Sequence, residues 1–208
     1  MSQIKYSFLS VLCYALIFFI PDMIKLHNGT TLTASLSYLI GTGILIILYQ
    51  KVRPLSFESK SVSPKKDLLI SFIGILSIIL LVGVGGYIET FFSFQNNFNR
   101  GLNMLDVLWQ RPIFAMIATI CGPIIEEFVF RRACIGFFSE YFSLRFAILF
   151  SATAFALVHV DSDIFIYFIL GYVLSLLYVK SGSLKTAIIS HCGSNILVLA
   201  IQVLRFAT

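Results

Sequence analysis

An apolar run beginning near Pro112 would read as a membrane span were it not interrupted by four charges in the stretch Gly122-Pro123-Ile124-Ile125-Glu126-Glu127-Phe128-Val129-Phe130-Arg131-Arg132. An ionised side chain at the centre of a bilayer costs about 3 kcal/mol or more, so such groups are expelled to the interface or kept for function and paired. The spacing suggests one pairing. Glu127 and Arg131 stand four apart with the acid first, the favourable order on a helix face. Glu126 points about 100° away from its neighbour and has no local cation. A carboxylate left alone in a low dielectric is a candidate acid or base. The competing reading is that these charges mark the place where a span meets water.

Composition decides between a soluble core and a membrane bundle. The chain has 58% hydrophobic and 12% charged residues and a mean hydropathy of +0.93, and several runs approach the roughly 20 residues needed to span a bilayer. The expected fold is therefore all-α, a polytopic transmembrane bundle of about seven spans, multi-pass in the cell membrane. The net charge of +5 is read as loop charge that sets orientation, and nothing in it resembles a nucleic-acid surface. Cys13, Cys121, Cys134 and Cys192 have no CxxC spacing and lie in apolar context, so they are read as packing residues.

In chain order, the first span is expected at about 7–20, ended by Pro21-Asp22 and retained because it lacks a small-residue cleavage pattern. The second covers about 32–49. Lys51, Arg53, Lys60, Lys65 and Lys66 follow, with Glu58 as the one acid, in a loop that the positive-inside rule places in the cytoplasm together with the N-terminus. The third, about 68–87, carries Gly83, Gly85 and Gly86, which permit close helix approach or a kink. A connector rich in Phe91, Phe92, Phe94, Asn96, Asn97, Phe98 and Asn99, closing with Trp109, suits the far interface. Gly122-Pro123 is expected to kink or break the next helix, so that Pro123 starts a new segment with both glutamates in its first turn. Spans at about 144–158, 164–179 and 186–206 put Arg145, Lys180 and Lys185 inside and Asp161 and Asp163 outside. Residues 1–111 then form the N-terminal helices and connector, and 112–208 a four-helix catalytic core.

Other polar groups reach Glu126 by depth. If the helix from Pro123 turns near 141–143, Glu126 and His159 lie about 14 residues on either side of the turn, or roughly 21 Å, within a hydrocarbon core of about 30 Å. Phe155 sits one turn before His159, where it packs and fixes the ring. The last helix brings His191 and Asn195, an i,i+4 pair on one face. His191 lies only about 10 to 12 Å past the Lys180 to Lys185 connection, so either that connection dips into the membrane or the sites are offset.

Glu126-Glu127-Phe128-Val129-Phe130-Arg131 resembles EExxxR, Phe155-Ala156-Leu157-Val158-His159 resembles FxxxH, and His191-Cys192-Gly193-Ser194-Asn195 resembles HxxxN. All three occur in the order of the CAAX-protease and bacteriocin-processing (CPBP, or Abi) family of intramembrane endopeptidases. The resemblance covers about 112–206. It implies hydrolysis of a membrane-presented peptide or lipidated protein, in peptide maturation or bacteriocin self-immunity, with Glu126 and His159 activating water. His191 and Asn195 then stabilise the oxyanion, and Glu127, Arg131 and Phe155 support the site. The family has also been described as zinc-dependent. Glu126, His159 and His191 would supply the ligands of an open zinc site, although HExxH is absent. A cysteine mechanism through Cys192 or Cys134 is open by residue type alone. So are a non-catalytic immunity or binding protein and a small proton-coupled transporter, although no inverted repeat is visible.

Overall fold

The computed structural model describes residues 1–24, 30–58, 62–91, 104–159 and 164–207. The expectations on Phe92, Phe94, Asn96, Asn97, Phe98, Asn99, Lys60, Asp161 and Asp163 fall outside the described residues. Every regular element among those described is helical: α1 (Gln3–Met23), α2 (Thr30–Lys51), α3 (Pro64–Phe91), α4 (Met104–Gln110), α5 (Pro112–Glu126), a π-helical segment (Glu127–Ile135), α6 (Gly136–Tyr141), α7 (Leu144–Val158), α8 (Ile164–Ser181) and α9 (Leu184–Ala207). Six spans are long and apolar enough to cross a membrane, the fourth being the continuous rod Pro112–Tyr141 formed by α5, the π segment and α6. The helix expected as a further span, Leu144–Val158, is a shorter apolar helix of 15 residues, about 22 Å long at 1.5 Å per residue.

The rod is the axis of the bundle. Of its spanning window 56% is buried inside the protein, against 22 to 33% for the other five. α2, α4 and α9 pack on α5, whereas α1 and α7 pack on the π segment; α3 pairs with α9 and α8 with α7. The remaining faces are lined by exposed Phe, Leu and Ile side chains such as Phe8, Phe19, Leu69 and Phe165, the surface that lipid requires in place of polar side chains.

The expected break at Gly122-Pro123 does not occur. Pro123 lies inside α5, because a packed transmembrane helix tolerates the loss of one backbone donor when its neighbours hold it. The irregularity comes four residues later, where Glu127–Ile135 widens to i→i+5 hydrogen bonding, a distortion common at functional sites. The glutamates therefore sit at the junction between α and π geometry and not in the first turn of a new helix.

One end of the bundle gathers the N-terminus and the connections 52–63, 142–143 and 182–183. There the Met1 amino group donates to the Lys51 carbonyl at 2.9 Å and the Val62 N–H to the Ser181 carbonyl at 3.0 Å. Beside the α8–α9 turn, with Gly182 at φ 67°, lie Glu58 and Val62 of the 52–58 and 62–63 stretches. The Tyr178 hydroxyl donates to Glu58 at 2.7 Å and the Ser183 hydroxyl to Asp67 at 2.9 Å, while Thr186 also donates to Asp67. His191 Nε2 lies 3.8 Å from a Glu126 oxygen, so the two residues are not offset in depth.

Close helix approach falls at Gly74, at Gly85, where an added Cβ would meet Ile166, and at Gly171, whereas Gly83 faces open space. At Gly171 an added Cβ would lie 3.1 Å from both the Ala152 Cα and the Phe155 ring, so α7 and α8 touch backbone to backbone. Gly171→Val is expected to force the two helices apart at a cost of about 1 to 3 kcal/mol, measured as a lowered Tm in detergent. Gly83→Ala should leave Tm unchanged.

Candidate active site

The four charges at the centre of the sequence go to three different places. Glu127 and Arg131 are fully buried and form an ion pair at 3.2 Å. The Arg131 guanidinium also donates to the Gly171 carbonyl at 3.3 Å and lies 4.3 Å from the centre of the Phe155 ring. A cation held by a carboxylate, a carbonyl and an aromatic face compensates much of its lost hydration. Glu127 has a second partner: its Oε1 accepts from His191 Nδ1 at 2.8 Å. One buried carboxylate thus fixes both the arginine and the imidazole of α9.

Glu126 turns instead into a cavity of about 260 Å³ whose walls include His159, His191 and Asn195. Its two oxygens lie 4.0 Å from His159 Nε2 and 3.8 Å from His191 Nε2. These separations are too long for direct hydrogen bonds and suit one bridging water. His159 caps the C-terminus of α7. Its Nδ1 lies 2.8 Å from the Phe155 carbonyl, so Nδ1 carries the proton and Nε2 faces Glu126 with a lone pair. The ring stacks on Tyr167 at 4.2 Å. Phe155, buried beneath, touches the His159 ring at 4.6 Å and meets the His191 ring edge-on at 5.9 Å.

The residues singled out by the sequence are therefore brought together: Glu126, His159, His191 and Asn195 line one cavity, with Glu127, Arg131 and Phe155 behind them. The Cys192 thiol is directed to the Ile120 carbonyl at 3.5 Å. The donor set Glu126, His159 and His191 suits zinc by type, but its closest approaches of 3.8 and 4.0 Å exceed the roughly 3.3 Å between tetrahedral ligands held at about 2.0 to 2.1 Å from the metal. Among the described residues no group of three His, Cys, Asp or Glu side chains is arranged to hold a metal ion.

The sequence reading missed the fate of Arg132. Fully buried, it lies 3.3 Å from Glu58 of the 52–63 connection and donates to Gln3 at 2.7 Å and to the Arg53 carbonyl at 2.6 Å, between the rings of Tyr6 and Tyr49. Its signal in the sequence was Glu58, the single acid among five basic residues, whose Oε1 also accepts from Tyr49 and Tyr178.

Residues 108–197 match the family model of the Rce1-like type II CAAX prenyl endopeptidases. The chain is similar to YdiL of Bacillus subtilis, named as a membrane peptidase, with 28% identity over 138 residues, 65% of this chain and 57% of that protein. It is likewise similar to the membrane-embedded CAAX protease MroQ of Staphylococcus aureus, with 28% identity over an alignment of 226 residues covering 98% and 92% of the two chains. The UPF0177 protein YaiH of Lactococcus lactis is 26% identical over 217 residues, 95% of this chain and 89% of the relative. The match thus spans little more than half of the Bacillus protein and nearly all of the other two. No solved structure matches the chain.

Removing the guanidinium leaves Glu127 buried with only His191 to face it. Arg131→Ala is expected to cost about 3 to 5 kcal/mol, read as a large drop in Tm or in yield of folded protein in detergent. Arg145→Ala, at an exposed helix start, should leave both unchanged.

Proposed function

We propose that this protein is an intramembrane endopeptidase that hydrolyses a peptide bond with water activated by Glu126. The observation that carries the reading is the placement of the Glu126 carboxylate, within one water of two imidazole Nε2 atoms in a cavity of an apolar bundle. Glu126 takes a proton from the water as its oxygen attacks the scissile carbonyl carbon, and His159 Nε2 accepts the second hydrogen bond that orients that water. The carbonyl oxygen becomes an oxyanion held by His191 and the Asn195 amide, which lie one turn apart on α9. Glu126 then returns the proton to the departing amide nitrogen, and the bond breaks.

His191, whose Nδ1 is held by Glu127, turns Nε2 toward Glu126, where it donates to the oxyanion when it carries a proton. Glu127 plays the part of a carboxylate that orients an imidazole without reacting. Ile78, Leu170, Leu174, Val198 and Leu199 in the cavity wall favour apolar residues beside the cleaved bond. Peptide maturation or bacteriocin self-immunity is the setting that this chemistry fits.

Glu126→Gln keeps shape and removes the base, so cleavage of a membrane-presented peptide by the purified protein is expected to fall about 10² to 10⁴-fold, and Asn195→Ala about 10² to 10³-fold, with Tm retained. A chelator should leave wild-type turnover unchanged. Loss of activity that zinc restores would move the chemistry to a metal held by His159 and His191. If a cellular phenotype survives Glu126→Gln combined with His159→Ala, the protein acts there by binding.

A further inference from the structure

The cavity has a direction. Its wall runs from Glu126 back along α5 to Ala118, and from His191 forward along α9 to Gln202. Both lead away from the end of the bundle that holds the 52–63, 142–143 and 182–183 connections. Toward that end the site is closed by two layers: the buried pair of Glu127 and Arg131, then Arg132 with Glu58 under the 52–63 connection. Tyr178 is buried beside the second layer and Phe128 packs on Tyr49, while a separate cavity of about 1020 Å³ on that side reaches Glu58 and Arg132 but not Glu127 or Arg131.

The same closed end carries the positive charge. Lys5, Lys51, Arg53, Lys65, Lys66, Arg145, Lys180 and Lys185 lie there with Glu58, Asp67 and Glu140, against Asp22, Glu89, Asp106, Arg111 and Arg205 toward the opposite end among the described residues. A bias of this kind in short connections sets orientation, and the basic end stays in the cytoplasm.

From these two observations we infer that the active site takes its substrate from the extracytoplasmic side, so that the bond cleaved belongs to an exported peptide or to the outward-facing flank of a membrane-anchored one. The inference rests on the hydrolase reading for its chemistry and on the cavity and charge pattern for its direction. A lipidated C-terminus presented at the cytoplasmic surface meets the closed end, where the two ion-pair layers stand between it and Glu126.

Side-specific labelling tests the direction without relying on turnover. In the full chain with Cys13, Cys121, Cys134 and Cys192 replaced by Ala, Gln202→Cys and Val198→Cys place a thiol in the cavity wall and Lys185→Cys places one on the basic end. Intact cells are treated with a charged, membrane-impermeant maleimide. The expected result is labelling of Gln202→Cys or Val198→Cys in intact cells, and of Lys185→Cys only after permeabilisation. The reverse pattern, or no labelling of either cavity position from outside, overturns the inference. Cleavage in detergent, where both ends are open, is read separately. Its loss from the wild type would remove the hydrolase reading while the labelling still decided the side.

Discussion

The ion pair of Glu127 and Arg131 is the constraint to which the rest of the bundle is fitted. Neither group has access to water, and exchanging such a pair for well-packed apolar side chains is often neutral or stabilising, so packing alone does not explain its presence. Its contacts do. Arg131 reaches the Gly171 carbonyl and the Phe155 face, which requires α7 and α8 to cross closely, and Glu127 grips His191, which fixes α9. Three helices are thereby registered to one rod at the depth of the site. The same pair holds the imidazole that faces Glu126, so fold and chemistry share a single electrostatic solution.

The π segment makes that solution possible on one helix. Adjacent glutamates and adjacent arginines need four different surroundings: Glu126 the cavity, Glu127 the imidazole of α9, Arg131 the α7–α8 crossing and Arg132 the connection that carries Glu58. The widened turn begins between the two glutamates and spans both arginines, where it redistributes the faces that a regular α-helix would present.

Much of this was legible in the residues. Hydropathy located the helices because lipid accepts few alternatives, and the i,i+4 spacings of Glu127 to Arg131 and His191 to Asn195 specified shared faces. The equal-depth relation of Glu126 and His159 followed from helical rise and a short turn. What was not legible depended on partners distant in sequence. Glu127 meets His191 across 64 positions and Arg132 meets Gln3 across 129, and no local pattern encodes such contacts. Gly122-Pro123 was misread because the local cost of proline is outweighed by packing against α2 and α9. The π segment has no compositional signature, and the α8–α9 turn is held by Glu58, Val62 and Asp67, which are remote in sequence.

The closed end has a consequence for the membrane itself. Hydrolysis inside a bilayer brings water to a buried bond, and a water path that ran through the bundle would dissipate ion gradients. Here the cavity that holds Glu126 ends at the buried pair of Glu127 and Arg131, and beyond them Arg132 pairs with Glu58, which also accepts from Tyr49 and Tyr178. On the proposed reading the architecture is a blind well, in which solvent reaches Glu126 from one side and the buried pair of Glu127 and Arg131 closes the other.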